Sequence, residues 1–534
     1  MRRRVFWLLL VLGAALRLGL YLSRPSLSID ETMTSLEIGA RSLAGLLHPL
    51  AYEQTAAPLF LWGVKLCTLI GGMNEYALRS VPLVGGLVVP YLVWRVGQRV
   101  LDPAGALVAT GIASVAPTLV QYSVIAKPYM TDAVIALVLA QSTLRLLDRP
   151  GERRAQAWLG VAGLAAVLGS IAAPFLLGGV AVALLLGLKP RTAGSAARLA
   201  ALIAVWGVAF LYLYLTLYRP VAASSYMQRF WSGAFLSPLD VAGWQLAGRA
   251  VIQSLVARPI PAVLIPLVIL LFVAGFAILA RRAGRAPAGL LGIPILAVLV
   301  ASPVHRYPLS ARVLLGVAPT FALCAAASVV ALSSRRRLIG ITISALVVAG
   351  LALVNVLHPY RTPALRPAIR TIAAAAAGDP VYVSSGAIPA WAFYTTDWSS
   401  PDTGYLGRIR RWGGVPDAPG FHNLAPRSRE VTVADAAGSD VRRLGRVEIL
   451  GLAPGIQWRE VVGLSGRSPD AGWAATEAAR IKQSGPTVWL LIATAYAGTR
   501  DSLFAALDRV GGRIEVDSVV GGVERSRVGF ARPP

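Results

Sequence analysis

The chain has 534 residues, of which 56% are hydrophobic and 14% are charged, and its mean hydropathy is +0.63. Soluble domains carry about 25% charged residues, so this composition excludes an ordinary soluble protein and predicts a polytopic membrane protein. The formal net charge is +25. Its basic residues recur in short runs between apolar segments, which is the pattern of the positive-inside rule, and a nucleic-acid-binding protein is therefore excluded.

The first apolar segment, residues 5–22, lies between the basic run Arg2–Arg4 and an acidic pair, Asp30 and Glu31. Because basic residues stay on the cytoplasmic side, the acidic pair is expected on the outer face. Carboxylates at a membrane surface suggest a catalytic site, and the alternative is that they cap the helix that follows. The segment is expected to be a retained anchor, since no small-residue cleavage site follows it.

Apolar runs of about 20 residues predict the membrane spans, and eleven are expected. They are 5–22, 80–98, 104–121, 131–147, 157–173, 175–188, 198–217, 258–280, 287–302, 313–332 and 338–357. The apolar run 56–72 is short and carries Lys65 near its centre, so it is predicted to be an interfacial helix within the outer loop 23–79. The predicted fold class is mostly α, with a transmembrane domain over residues 1–357.

The composition changes in the tail, residues 358–534, where long apolar runs end and polar residues become frequent. Periodicity and turn residues predict a small α/β domain here, on the outer face. The expected helices are 363–378 and 499–512, and the expected strands are 379–385, 488–495, 513–520 and 526–532.

A second polar group occupies the short outer loop QYSVIAKPYMTD, residues 121–132. A proline is expected to open the next helix, which places Lys127 at the end of the loop and Asp132 one turn into the helix. Lys127 could neutralise a phosphate as a point charge. The alternative is a lysine that snorkels to the interface and pairs with Asp132.

A third polar group is the outer loop SPVHRYPLSAR, residues 302–312. His305, Arg306, Tyr307 and Arg312 crowd this loop against the positive-inside rule, which favours a functional role over an aromatic and basic interface anchor.

Other polar and aromatic residues give weaker signals. Arg79 begins the second span and either binds an anionic headgroup or anchors the helix, and Glu53 and Gln54 are also weak candidates. The Trp and Tyr residues of 206–244 are interpreted as aromatics of the membrane interface.

These groups, in this order and spacing, resemble the glycosyltransferase C superfamily. The similarity is to bacterial glycosyltransferase family 39 proteins, which are related to protein O-mannosyltransferases and to the lipid A aminoarabinose transferase. It rests on the acidic pair and on the segments AAPLFLW, EYALRSVPLVGGL, YSVIAKPYMTD and RYPLSAR, and it is best over residues 1–190. The family usually has Arg in place of Lys127 and Pro-Pro in place of Ala57-Pro58. A lysine at this position keeps the positive charge but lacks the planar, forked set of N–H donors of arginine.

The resemblance implies an enzyme that moves a sugar from a polyprenyl phosphate to an acceptor hydroxyl on the outer face of the membrane, with inversion. Asp30 would be the general base, and Glu31 would support it or contact the acceptor. No metal cofactor is expected, because the acidic pair is more similar to the metal-independent members. The implied acceptor is a lipid, a glycan or a protein, and the implied location is the inner (plasma) membrane.

The resemblance also implies which residues bind the substrate. Lys127, Arg79 or Arg312 would stabilise the phosphate as it leaves, since fixed positive charge is needed where negative charge develops. Asp132 would hold Lys127 in place. The remaining candidate substrate-binding residues are Tyr122, Tyr129, His305, Arg306 and Tyr307.

Three other classes of protein stay open at this point. A transporter would place charged residues at mid-membrane on broken helices, whereas these lie at outer span ends. A non-catalytic cell-envelope protein could retain the fold. An O-antigen-ligase-like enzyme would use a similar lipid donor with a different arrangement of loops.

Overall fold

The computed structural model describes most of the chain. The described residues are 2–188, 193–259, 261–332, 337–376, 379–384, 386–401, 403, 406, 473–493 and 499–530, with four short strands between 433 and 462.

A bundle of α-helices forms the first part of the protein. Its helices are α1 (Arg2–Leu22), α2 (Ile29–Ala40), α3 (Pro58–Gly71), α4 (Glu75–Val100), α5 (Pro103–Val115), α6 (Pro117–Tyr122), α7 (Tyr129–Asp148), α8 (Arg153–Gly169), α9 (Ala173–Gly187), α10 (Ala193–Leu213), α11 (Arg219–Ala222), α12 (Ser225–Phe230), α13 (Val241–Val256), α14 (Ile265–Ala283), α15 (Arg285–Ala301), α16 (Ala318–Leu332) and α17 (Arg337–Leu357). One turn of π-helix, Tyr214–Tyr218, joins α10 to α11.

Each of the eleven predicted spans overlaps a helix of this bundle, and the span predicted at 104–121 is divided into α5 and α6 where Pro117 starts a new helix. Within the described part of the chain, six segments are long and apolar enough to cross a membrane, so the protein is a multi-pass membrane protein. They are Arg2–Leu22, Glu75–Val100, Tyr129–Asp148, Ala197–Ala222, Ala262–Ala283 and Ile339–Leu357. The number of crossings stays a prediction.

Helix α3 coincides with the predicted interfacial segment and has 14 residues. At 1.5 Å per residue it is about 21 Å long, which is shorter than the hydrocarbon core of about 30 Å. Its length agrees with an interfacial position, and that position stays a prediction.

The C-terminal part is a small α/β region, as predicted. Its helices are α18 (Leu365–Ala375), α19 (Ile388–Thr395), Trp473–Ser484 and Thr499–Arg509, and its strands are β1 (Val381–Val383), β2 (Val433–Ala434), β3 (Asp440–Val441), β4 (Ile449–Leu450), β5 (Arg459–Val462), β6 (Thr487–Ile492), β7 (Gly512–Val520) and β8 (Val523–Phe530). The main sheet has the order β4-β5-β1-β6-β8-β7, and β1 runs parallel to both of its neighbours.

The α/β region packs directly on the first outer loop of the bundle. Leu36 of α2 and Phe60 of α3 belong to the same buried cluster as Ile369 of α18 and Trp391 and Phe393 of α19. All five are at most 3% exposed. The two parts of the protein therefore share one hydrophobic core at this end of the bundle.

A polar junction at the same end centres on Glu75, the first residue of α4, which is 2% exposed. Its carboxylate accepts hydrogen bonds from Arg24 (2.9 Å), Arg366 (2.7 Å) and the Tyr394 hydroxyl (3.0 Å). The same hydroxyl accepts a hydrogen bond from the backbone N–H of Leu27 (2.8 Å). The C-terminal region thus fixes the segment that leads into α2.

We expect Tyr394→Phe to lower the free energy of unfolding by about 1–3 kcal/mol, because the buried N–H of Leu27 loses its acceptor. Thermal unfolding in detergent measures the change. Tyr212→Phe is the matched control, because Tyr212 is 67% exposed. Equal melting temperatures for the two variants would contradict the role of the junction.

Candidate active site

A cavity of about 520 Å³ lies at the end of the bundle where α2 and α7 begin. Its lining comes from the start of α2, the loop before α3, the start of α7, the π-turn after α10, and the loop after α15. The three polar groups singled out in the sequence therefore contribute to one cavity.

Asp30 lies in the first turn of α2, and its side chain is 40% exposed. Its Oδ2 accepts a hydrogen bond from Arg312 Nη1 at 2.9 Å, and among the described residues its Oδ1 has no protein partner. The Arg312 guanidinium also lies over the Trp231 ring, 4.9 Å from the ring centroid. Asp30 thus offers one free carboxylate oxygen to the cavity, beside a cation that is fixed in place.

Lys127 reaches the same cavity from the loop between α6 and α7 and is only 5% exposed. Its ammonium group donates hydrogen bonds to Thr34 Oγ1 (2.7 Å) and to Gln54 Oε1. Burial lowers the pKa of Lys127 to about 8, because removal from water disfavours the charged form. Thr34 is one helical turn beyond Asp30, so Lys127 contacts the same end of α2 that carries Asp30.

Asp132 does not pair with Lys127, in contrast to the arrangement inferred from the sequence. Its side chain accepts a hydrogen bond from Ser170, and its Oδ1 is buried without a hydrogen-bond partner. The Tyr218 hydroxyl, which lines the same cavity, is also buried and unpartnered. The cavity therefore contains an acceptor and a hydroxyl that a polar ligand could satisfy.

Glu31 and Arg79 lie behind the cavity and do not line it. They are 0% and 1% exposed and form a two-pronged ion pair, with Arg79 Nε to Glu31 Oε1 at 2.9 Å and Nη2 to Oε2 at 3.0 Å. Glu31 also accepts hydrogen bonds from the backbone N–H groups of Ser28 and Ala126, both at 2.9 Å. The charges of both residues are thus used on each other and on the backbone, which leaves support of Asp30 as the role of Glu31 that agrees with this geometry.

The loop after α15 contributes one wall of the cavity. The His305 ring stacks on Phe235 with centroids 4.5 Å apart, and the Tyr307 hydroxyl donates to the carbonyl of Val313 at 3.0 Å. Burial raises the pKa of Tyr307, so it remains a neutral phenol. Arg306 is exposed at the cavity lining, and its guanidinium has no hydrogen-bond or ion-pair partner among the described residues.

Two tyrosines of the 121–132 loop meet edge to face, with centroids 5.3 Å apart. Tyr129 lines the cavity, whereas Tyr122 packs behind it and does not. Tyr122, like Glu31 and Arg79, therefore lies outside the lining of this cavity. The other candidates line the cavity, and they are Asp30, Lys127, Tyr129, Asp132, His305, Arg306, Tyr307 and Arg312.

Several aromatic residues that the sequence interpretation assigned to the membrane interface line the cavity instead. They are Tyr214, Tyr218 and Trp231, and Phe230 and Phe235 line the cavity beside them. The first two lie in the π-turn, a rare element that is frequent at functional sites. Sequence periodicity carries no signal for a single π-turn, so it could not have revealed this wall.

Two cationic side chains lie beside Asp30. Hard divalent cations take several oxygen ligands, whereas Asp30 faces two cations, Arg312 and Lys127. Within the part of the chain that the structure describes, no three His, Cys, Asp or Glu side chains converge as a metal site.

Residues 55–188 match a family model described as dolichyl-phosphate-mannose-protein mannosyltransferase. The matched segment contains Lys127 and Asp132 and ends before the loop that carries Arg312. A comparison with curated proteins finds no match.

Solved membrane proteins resemble the structure over most of its length. The oligosaccharyltransferase of Archaeoglobus fulgidus, solved with zinc and sulfate, is 12% identical with a TM-score of 0.50, over 91% of this chain and 67% of that chain. ArnT from Cupriavidus metallidurans, solved in the apo state and bound to undecaprenyl phosphate, is 16% identical with a TM-score of 0.45, over 98% of this chain and 97% of that chain. At these identities the likeness concerns the fold alone.

We expect Glu31→Gln to destabilise the protein by about 3–5 kcal/mol, because it leaves Arg79 as an uncompensated buried charge. Asp30→Asn is the matched control, since it makes the same chemical change at a neighbouring position that is 40% exposed. Melting temperatures in detergent should fall strongly for the first variant and little for the second. Equal losses would contradict the structural role assigned to Glu31.

Proposed function

This chain has the glycosyltransferase C fold, and from that premise we propose that it is a membrane glycosyltransferase that moves a sugar from a polyprenyl phosphate to an acceptor hydroxyl. The observation that carries the proposal is the position of Asp30 beside Arg312 and Lys127 in one cavity. A carboxylate next to two cations supplies a base and a binding site for a leaving phosphate. The description of the matched family names such a donor, a sugar on dolichyl phosphate, which supports this donor class.

The transfer step uses the free oxygen of Asp30. The acceptor hydroxyl attacks the anomeric carbon, and Asp30 Oδ1 takes its proton. The bond between the anomeric carbon and the phosphate oxygen breaks, and its electron pair leaves with the polyprenyl phosphate. Attack from the face opposite the phosphate inverts the configuration. A carboxylate within about 3 Å of the hydroxyl is what this general-base step requires.

Arg312 and Lys127 stabilise the leaving phosphate. Negative charge grows on the phosphate as the bond breaks, and fixed cations in a water-poor cavity lower the barrier most. Arg312 has five N–H donors, and the contact with Asp30 uses one of them. Arg306, exposed at the same cavity, offers a further guanidinium.

Asp132 and Tyr218 recognise the sugar. A buried carboxylate oxygen and a buried phenol without partners leave a polar site unsatisfied until a ligand fills it. Sugar hydroxyl groups both donate and accept hydrogen bonds, so one hydroxyl satisfies each of these groups. The aromatic residues Tyr214 and Trp231 line the same cavity and bring apolar area to the sugar or to the polyprenyl chain.

We place the reaction on the outer face of the inner (plasma) membrane. The cavity and the C-terminal region lie at the same end of the bundle, since Glu75 at the head of α4 binds both Arg24 and Arg366. The opposite end of α4 carries Arg95 and Arg99, which the positive-inside rule assigns to the cytoplasm. The acceptor is a lipid, a glycan or a protein presented at the outer surface.

A transporter and a non-catalytic envelope protein with this fold are the competing functions. Neither needs a free carboxylate oxygen held between two cations, so an assay of transfer separates them from the proposed enzyme.

We expect Asp30→Asn to reduce transfer by a factor of about 10²–10⁴, the usual contribution of a general base. The assay uses radiolabelled polyprenyl-phosphate sugars in nanodiscs, with membrane extract as acceptor and with EDTA present, because we also propose that transfer is metal-independent. Asp240→Asn is the control, since Asp240 caps α13 away from the cavity.

Full activity of the Asp30→Asn variant would overturn the base assignment. Activity in wild type that appears only without EDTA would overturn metal independence. No transfer from any donor by a folded wild-type protein would favour the transporter or the non-catalytic protein.

We expect activity to fall as the pH rises through about 8, because Lys127, with its pKa lowered to about 8 by burial, then loses its charge. Lys127→Arg should move this fall to higher pH, since arginine stays protonated above pH 12. Below pH 8, Lys127→Ala should be about 10²–10³-fold slower than wild type, as for removal of one donor to a developing anion, and this difference should shrink above pH 8 as Lys127 loses its charge. Rates measured from pH 6 to about 10 test this. An alkaline fall that is identical in wild type and Lys127→Arg would exclude Lys127 as its source.

A further inference from the structure

A second cavity, of about 540 Å³, lies between α4, α7 and α8 at the opposite end of the bundle. Arg79 and Arg95 are 16 residues apart on α4, which is a distance of about 24 Å at 1.5 Å per residue. The two cavities are therefore separated by most of the thickness of a hydrocarbon core of about 30 Å. The second cavity has no part in the transfer reaction described above.

Arginines dominate the lining of this cavity, and they are Arg95, Arg99, Arg145 and Arg149. Two carboxylates oppose them, because Arg99 pairs with Asp148 at 3.1 Å and Arg145 pairs with Glu152 at 2.7 Å. Arg149 is 3.7 Å from the same Glu152. Four guanidinium groups against two carboxylates leave an excess of two positive charges.

Arg95 has no carboxylate partner among the described residues. Its Nη1 donates to the Tyr91 hydroxyl at 3.0 Å, and its guanidinium lies 5.9 Å from the centre of the same ring. An arginine held against an aromatic ring keeps most of its planar donor fork available for an anion.

The positive-inside rule accounts for basic residues at this end, but it does not account for a cavity on which they converge. Gln141 lines the cavity as well, and its Oε1 is buried without a hydrogen-bond partner. Tyr91 and Trp158, 41% and 60% exposed, stand at the same cavity, as aromatic residues do at the level of lipid headgroups. The site combines cations, an unsatisfied acceptor and interfacial aromatics.

We propose that this cavity binds the headgroup of an anionic phospholipid in the leaflet opposite the catalytic cavity. Arg95 binds the phosphate together with Arg99 and Arg145, in the planar geometry that guanidinium groups offer to phosphate oxygens. Gln141 accepts a hydrogen bond from a headgroup hydroxyl, which favours a glycerol headgroup over choline. Basic pockets between helices on the cytoplasmic side are suited to anionic headgroups.

Binding there stabilises the fold, because a ligand that binds only the folded state raises the free energy of unfolding. The bound lipid bridges α4, which carries Arg79, and α7, which carries Asp132. It therefore links two helices that hold the catalytic cavity at their other ends.

The test is native mass spectrometry of the full-length protein released from nanodiscs that contain phosphatidylglycerol and phosphatidylcholine in equal amounts. We expect one phosphatidylglycerol to be retained by wild type, and its affinity to fall about tenfold or more in Arg95→Gln, as for loss of a charge-assisted bond of about 1.5–3 kcal/mol. Arg153→Gln is the matched control, because Arg153 is exposed at the same end of α8 but does not line the cavity.

Thermal unfolding supplies the second measurement and identifies the source of the phosphate. Phosphatidylglycerol should raise the melting temperature of wild type and of Arg153→Gln but not of Arg95→Gln. Equal protection by inorganic phosphate would overturn the lipid in favour of a free phosphate. Equal retention of phosphatidylglycerol by Arg95→Gln and Arg153→Gln, or no preference over phosphatidylcholine, would overturn the site itself.

Discussion

The buried ion pair between Glu31 and Arg79 is the interaction on which the geometry of the proposed active-site cavity depends. Arg79 binds Glu31 on α2 and also donates to the carbonyls of Pro25 (2.6 Å) and Ser26 (3.2 Å), which precede α2. Glu31 in turn holds the backbone of Ala126, the residue before Lys127. The pair thus sets α2 and the 121–132 loop against each other. Burying two charges costs desolvation free energy, and here the buried pair fixes the position of Asp30 relative to Lys127.

Two adjacent acidic residues have opposite surroundings because of helix geometry. Successive residues point about 100° apart around a helix of 3.6 residues per turn. Glu31 is the third residue of α2 and completes a capping box with Ser28, so it faces inward, and Asp30 then faces the cavity. The sequence offered a helix cap and a catalytic pair as alternatives. Glu31 takes the capping role, and the catalytic role of Asp30 stays a proposal.

The sequence predicted those parts of the fold that follow from hydrophobic periodicity and from composition. Apolar runs located the helices of the bundle, and the change of composition after Leu357 located the α/β region, because both follow from burial of apolar side chains. The three polar loops could also be found, since their charged residues lie at the predicted outer ends of the spans, where the positive-inside rule does not account for them. Pairings between residues that are distant in the sequence could not be found. Leu27 meets Tyr394, and Lys127 meets Gln54 rather than Asp132, through tertiary packing that leaves no local pattern.

The hydrophobic core that α2 and α3 share with α18 and α19 limits how the protein can be divided. A tail cut from the bundle would expose Ile369, Trp391 and Phe393 to water, and a bundle without the tail would expose Leu36 and Phe60. Apolar area of this kind is stabilising only while both surfaces are present. The tail is therefore not an interchangeable module. Grafting a different tail onto this bundle requires the matching face of the first outer loop to be transplanted with it.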